Sequence, residues 1–181
     1  MPVQIVYETH STTVDNESGF ATGHHPGHLS AAGKRQAVEL GERRRHDGID
    51  VVFSSDLRRA VETVEIAFEG SDLPWQQDPR LRECDYGDLN GALVMLLEPR
   101  RKYIDQPFPN GESYREVVER TRLFLVELAS RYDGARVLLV AHSANLWALR
   151  YLLAGDVLED LVGAPFTWQP GWEFELPTGP A

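Results

Sequence analysis

Short apolar runs alternate along this chain with longer stretches in which apolar residues recur every three or four positions. Residues 3–7, residues 51–53 and Arg136–Ala141 are the runs, and each predicts a buried strand. Trp75–Gln77 and Trp172–Leu176 predict two more. A helix opens at Ser30, a good N-cap, carries Ala37 and Leu40 on one face, and ends near the Arg43-Arg44-Arg45 run. Ser54-Ser55-Asp56 caps a second helix reaching Phe68, with Ala60, Val64 and Ala67 aligned. The longest helix is predicted over residues 112–131, with Val117, Val118, Leu125 and Leu128 as apolar positions. Residues 92–101 and 145–153 also read as helical. Between these lie a polar loop rich in Gly, Thr and His (9–28), a mostly irregular stretch (70–91), a turn (107–111) and a tail expected to fray (177–181).

Strands that alternate with helices imply an α/β fold with a mainly parallel sheet, whose sites gather at the C-terminal strand ends. Three such ends carry polar residues: Thr9-His10-Ser11-Thr12-Thr13, Ser54-Ser55 and His142-Ser143. Each histidine alone reads as well as a hydrogen-bonded structural group; two at equivalent strand ends favour a shared crevice. Arg59 falls in the first turn of a helix that starts at a strand end, where a guanidinium beside free amides suits phosphate. Arg58 and Arg59 read equally as a solvated face paired with Asp56 and Glu62. Glu83 lies in a loop, where a carboxylate shielded from water can donate a proton, or stand on the surface.

Composition narrows the partners. The 181 residues hold 18 Lys and Arg against 28 Asp and Glu, a net charge of −10. That acidity opposes general nucleic-acid binding, which needs a basic surface. The single cysteine, Cys84, excludes an internal disulfide and fits a reducing, cytoplasmic setting. No apolar stretch approaches the ~20 residues that cross a bilayer, and Met1-Pro2-Val3-Gln4 has no leader character, so no membrane association is expected. The length suits one domain over residues 1–181, with a lid or insert at about 84–110.

The ordered motifs resemble the histidine phosphatase superfamily, the phosphoglycerate mutase-like fold. That family opens on Arg-His-Gly-Glu-Thr with a following Asn; here stand Thr9-His10-Ser11-Thr12-Thr13 and Asn16. Further similar elements are Thr22-Gly23, Leu29-Ser30-Ala31-Ala32-Gly33-Lys34-Arg35-Gln36-Ala37, and Ser55, Leu57, Arg59, Ala60 and Thr63. Leu81, Glu83, Gly87 and Gly91 follow, then Pro109-Asn110-Gly111-Glu112-Ser113 and Val140-Ala141-His142-Ser143. The resemblance implies a three-layer α/β/α sandwich and a phosphomonoester hydrolase for a small phosphorylated metabolite, needing no metal or organic cofactor. It implies that His10 is the nucleophile, forming a phosphohistidine, and that Glu83 is the proton donor. His142 and Arg59 would hold the phosphoryl oxygens, with Asn16, Thr22, Gly23 and Ser143 adding neutral donors.

One position departs from the family pattern: its first-motif Arg is Thr9, and its Gly is Ser11. One well-placed donor to an anionic transition state is worth ~3 kcal/mol, about a hundredfold in rate. Either Arg58 or another Arg takes that space, or the Thr9, Ser11 and Thr12 hydroxyls bind a phosphoryl group of lower charge, such as a diester-like or mixed substrate, or the site has lost catalysis and only binds. Hydrolysis is expected over mutase transfer, since the cover at 98–109 is short. The readings left beside hydrolase are a phosphate-ligand binding module and a phosphoglycerate-type mutase. His24-His25-Pro26-Gly27-His28 is expected to rim the pocket rather than bind metal, and Trp147, Trp168 and Trp172 to pack in the core or against the tail. An exposed Trp168 or Trp172 would instead mark the surface of a homodimer.

Overall fold

The structure, a computed structural model, describes residues 1–179. In chain order the elements are β1 (Val3–Thr9), α1 (Val14–Ser18), β2 (Phe20–Ala21), α2 (Ala31–Arg44), β3 (Val51–Ser54) and α3 (Arg58–Ala67). Then come β4 (Trp75–Gln77), β5 (Ala92–Leu93), α4 (Tyr114–Arg131), β6 (Arg136–Ala141), α5 (Ser143–Leu149), α6 (Leu158–Gly163) and β7 (Trp172–Leu176). The main sheet runs β4-β3-β6-β1-β7, parallel except for β7 at one edge.

Continuous apolar runs make sense in this arrangement, because both sheet faces are covered. On one face Val6, Val52, Leu138 and Val140 meet Leu40, Val64 and Ala67 of α2 and α3. On the other, Ile5, Val137 and Leu139 meet Phe124, Leu125 and Leu128 of α4 and Leu146 and Leu149 of α5. The result is the α/β/α layering expected. Leu139 has no exposed surface, and its truncation to Ala would destabilise by about 2–5 kcal/mol. A separate apolar cluster, including Tyr86, Leu97, Phe108 and Tyr114, anchors residues 84–108 on α4 and α5.

Register sets the site. Thr9 pairs with Ala141, so β1 and β6 end level and the next residues, His10 and His142, emerge as neighbours. The His10 amide donates to the Ala141 carbonyl at 2.8 Å, carrying the ladder one step further.

Several local expectations change. The loop 9–28 contains α1 and β2, because Thr13 and Asn16 form a reciprocal capping box. Residues 92–101 are not a helix: β5 leads into tight turns at Val94–Leu97 and Arg100–Tyr103. Pro99 explains this, since it has no amide to donate and bars helical backbone before it. The helix predicted over 145–153 starts two residues early, with the Asn145 side chain accepting the His142 amide at 3.1 Å. It ends in a widened π-type turn at Arg150–Ala154. The longest helix starts at Tyr114, capped by Ser113 and Glu116. Ser54-Ser55-Asp56 does not cap α3 directly: Leu57 holds the cap position without a side-chain bond. In the tail, Thr178 is tied by its hydroxyl to Met1 and Asp133, whereas Pro180 and Ala181 lie outside the described residues. Among the described residues no helix is long and apolar enough to cross a membrane.

Candidate active site

His10 is half-buried at the end of β1, and its Nδ1 lies 2.7 Å from the Ser11 carbonyl oxygen. A carbonyl only accepts, so Nδ1 carries the proton and Nε2 keeps a free lone pair. Burial, then the charge of Arg59, lowers the His10 pKa to about 3, against the bond to Ser11, which raises it. The ring is therefore neutral at ordinary pH. Loop support comes from Thr63, whose Oγ1 accepts the Ser11 amide at 3.0 Å. It comes also from Gly33, where a Cβ would stand 1.9 Å from the Thr12 carbonyl oxygen.

His142 is fully buried, its ring centroid 5.1 Å from that of His10. Its Nε2 lies 2.6 Å from Ser55 Oγ, its carbonyl accepts from the Tyr7 hydroxyl, and its Nδ1 has no hydrogen-bond partner among the described residues. Burial first, then Arg59, drives its pKa well below the usual histidine value. His142 is thus a neutral group at ordinary pH. A buried ring nitrogen left without a partner is costly unless a ligand supplies one.

Arg59 points inward and is 3% exposed. Its Nη1 donates to the His25 carbonyl at 3.0 Å and its Nη2 to that of Gly23 at 2.8 Å, so it also clamps the 23–27 loop. Gly23 has φ +57°, and a Cβ there would lie 1.9 Å from Asn90 Oδ1, so only glycine fits. Arg58, by contrast, faces outward and pairs with Glu65 at 2.9 Å. It does not fill the space beside Thr9, because successive residues on a helix point about 100° apart.

Glu83 is 8% exposed, and its Oε1 accepts the Cys84 amide at 2.7 Å. Burial raises its pKa, against that amide bond and the charges of Arg59 and Arg120. Its backbone is pinned from two sides: the Glu83 carbonyl accepts from Arg120 Nη2 at 2.9 Å and meets His24 Nε2 at 2.7 Å. Cys84 packs in the apolar cluster, its thiol pKa raised by burial.

His10, Arg59 and Glu83 line one cavity of about 340 Å³, with Thr22 and Gly23 on its wall and Arg100 reaching in from the 84–110 segment. Thr9, Ser11 and Arg43 line a second of about 590 Å³, walled also by Trp168, and His10, Asn16, Ser143 and Phe166 border both. Asn16 spends its Oδ1 on the Thr13 amide, and Thr22 donates to Asp15 at 2.8 Å. Glu8, one of the acids near the nucleophile, is 1% exposed and claimed by Arg43 at 3.1 Å and Arg44 at 2.9 Å. Trp168, expected to pack in the core or against the tail, is instead 56% exposed, beside the Arg43 guanidinium at 5.8 Å. Trp147 and Trp172 are half-buried, packed against Tyr114 and Tyr7 respectively. Sequence reasoning missed Arg120, Ser55 as the partner of His142, and Phe166. Arg120 had no signal beyond a polar helix position, whereas Ser55 sat in a quoted motif.

Comparison with known proteins shows the family. A family model described as the histidine phosphatase superfamily (branch 1) matches residues 9–164. An uncharacterized phosphatase, PhoE, of Bacillus subtilis (strain 168) is 38% identical over 127 residues, 70% of this chain; the match spans 65% of that relative's length. A probable phosphoglycerate mutase, GpmB, of Salmonella arizonae is 33% identical over 162 residues, covering 84% of this chain and 75% of its own. Among solved structures, a mycobacterial glucosyl-3-phosphoglycerate phosphatase in complex with VO3 superposes with a TM-score of 0.79 at 28% identity, covering 88% of this chain and 86% of its own.

Proposed function

This chain belongs to the histidine phosphatase superfamily, and from that membership we propose that it hydrolyses phosphomonoesters of small metabolites through a phosphohistidine on His10, without a metal. The observation that carries this reading is the 2.7 Å bond from His10 Nδ1 to the Ser11 carbonyl. It fixes the tautomer, so that Nε2 holds the lone pair a nucleophile needs. In the first step Nε2 attacks phosphorus while the buried acid of Glu83 protonates the departing alkoxide. In the second, the Glu83 carboxylate takes a proton from water as that water displaces His10.

Arg59 and the unpartnered Nδ1 of His142 offset charge on the phosphoryl oxygens. In this reading Ser55 gives its proton to Nε2, which leaves His142 its own on Nδ1 to donate to a phosphoryl oxygen. Asn16, Ser143 and the Thr22-Gly23 backbone add neutral donors. The identity of one relative as a probable phosphoglycerate mutase favours a second reading, transfer of the phosphoryl group back to substrate. Half-exposure of His10 favours hydrolysis, because water reaches the phosphoenzyme.

The test is a panel of aryl phosphates and phosphometabolites on wild type and His10→Ala, with chelator present. The expected result is inorganic phosphate from wild type and at least a thousandfold less, in order of magnitude, from the variant. Isomer without inorganic phosphate from a phosphoglycerate would instead indicate a mutase. Equal turnover by His10→Ala would overturn the reading, and absence of turnover by both would leave a binding module.

A further inference from the structure

His10 stands where two cavities meet, and a phosphomonoester needs only one of them. Its single organic substituent leaves with the oxygen that Glu83 protonates, so it occupies the cavity of about 340 Å³ that Glu83 lines. The second cavity, about 590 Å³, is the larger and borders the same histidine. It is walled by the loop after β1, by α2, and by the segment that follows α6.

Its chemistry is distinctive. Phe166 and Trp168, 46% and 56% exposed, offer flat apolar faces. Gln36 accepts the Thr12 amide through Oε1 at 3.0 Å, which leaves its own N–H groups to donate. The one guanidinium on its wall, Arg43, forks onto Glu8 at 3.3 and 3.1 Å, and Glu39 adds a further negative charge. A second phosphate would find no free positive charge there. A neutral, planar group with a polar edge would find aromatic faces and an amide donor.

The charge at phosphorus points the same way. Thr9 brings a hydroxyl, not a cation, to the wall beside His10; Arg58 is turned away toward Glu65, and Arg100, which reaches the smaller cavity, is paired with Glu98. A phosphomonoester, with its second pKa near about 6, is mostly a dianion at neutral pH, whereas a phosphodiester is a monoanion. A site with fewer cations loses less on the monoanion.

We propose that the larger cavity is a subsite for a second ester substituent, so that His10 also cleaves phosphodiesters whose retained arm is neutral and planar. The proposal rests on His10 as nucleophile. The Nε2 lone pair forms an N–P bond as the P–O bond to the leaving group breaks, its electron pair and the Glu83 proton going to the departing oxygen. Water then forms the new P–O bond, gives a proton to Glu83, and the N–P pair returns to Nε2. The product is a phosphomonoester that still carries the retained arm.

Three substrates sharing one leaving group test this: 4-nitrophenyl phosphate, 4-nitrophenyl phenyl phosphate and 4-nitrophenyl methyl phosphate. The expected kcat/KM for the phenyl diester lies within about tenfold of the monoester, and at least about tenfold above the methyl diester. Trp168→Ala should lower the phenyl diester about tenfold more than the monoester. Thr9→Arg should shift the ratio about tenfold toward the monoester; Trp168→Ala, at an exposed position, keeps the test open if Thr9→Arg does not fold. Turnover of the monoester with both diesters inert would overturn this subsite alone, as would a phenyl preference that survives Trp168→Ala. Turnover of none of the three would overturn the hydrolase reading and this one together.

Discussion

The two cavities that meet at His10 are built in opposite ways. Around the smaller one the side chains proposed to react are held by hydrogen bonds: His10 by the Ser11 carbonyl, Arg59 by backbone carbonyls, Glu83 by the Cys84 amide. The larger one is walled by groups that project into solvent, Phe166 and Trp168, and by an arginine already spent on Glu8. Charge stabilisation in a transition state depends on donors that do not have to reorganise. Choosing a substituent needs only a surface of suitable shape. On the proposed reading the chemistry belongs to the first cavity and substrate choice to the second.

The largest way to break that contrast is to remove Glu83. Glu83→Gln should lower kcat for alkyl phosphates by about a thousandfold, the general-acid contribution being about 10²–10⁴. With 4-nitrophenyl phosphate, whose leaving group needs no proton, the first step should lose far less; kcat/KM on both substrates, which reads that step and not the hydrolysis after it, checks it. Arg59→Ala comes next, with an expected loss of about a hundredfold or more in kcat/KM, because a buried charged donor and the clamp on the 23–27 loop go together. Ser55→Ala, which deprives His142 of its Nε2 partner and the Leu57 amide of its acceptor, should lose about tenfold in kcat and also lower the melting temperature, because two buried polar groups are left unpaired. Arg58→Ala is the smallest: one residue from Arg59 but paired on the surface with Glu65, it should stay within about twofold of wild type.

The pH profile sharpens the same contrast. The nucleophile must be neutral, and the His10 pKa is lowered to about 3, so activity fails on the acid side only as pH falls through that value. Glu83 must be protonated in the first step, and burial raises its pKa, so activity declines as pH rises through that raised value. A kcat/KM profile for an alkyl phosphate should show this alkaline limb, and Glu83→Gln should flatten it. Folding carries the linked signs. Neutral, buried His10 stabilises the fold above the ordinary histidine range and loses that contribution as pH falls toward 3. Glu83, its pKa raised, favours the folded state below the ordinary carboxylate range and less as pH rises.

The residues proposed to react were legible in sequence because they follow strands and motifs. His10 and His142 follow apolar runs directly, Arg59 opens a helix, and Glu83 lies inside a short motif, so local pattern finds them. The larger cavity was not legible. Its walls come from Gln36, from Arg43 and from Trp168, brought together only by the packing of α2 and the segment after α6 against β1. Arg120 was hidden for the same reason: it reads as a polar helix position, yet it binds the Arg80 and Glu83 carbonyls some forty residues upstream. Residues 92–101 misled for a local reason. Leu93, Val94, Leu96 and Leu97 satisfy a helical period, and only Pro99 argued against it. The acidity of the chain needed position as well as count, since Glu8 beside the nucleophile is neutralised by two arginines.

The central claim is a covalent bond between His10 and phosphorus, and rapid-quench labelling tests it most directly. Wild-type protein mixed with an aryl [32P]phosphate and quenched in alkali within milliseconds should hold label that survives base and is lost in mild acid. Peptide mapping should place that label on His10, and His10→Asn should hold none. Turnover with no labelled protein at any quench time, or unchanged label and turnover in His10→Asn, would contradict the account.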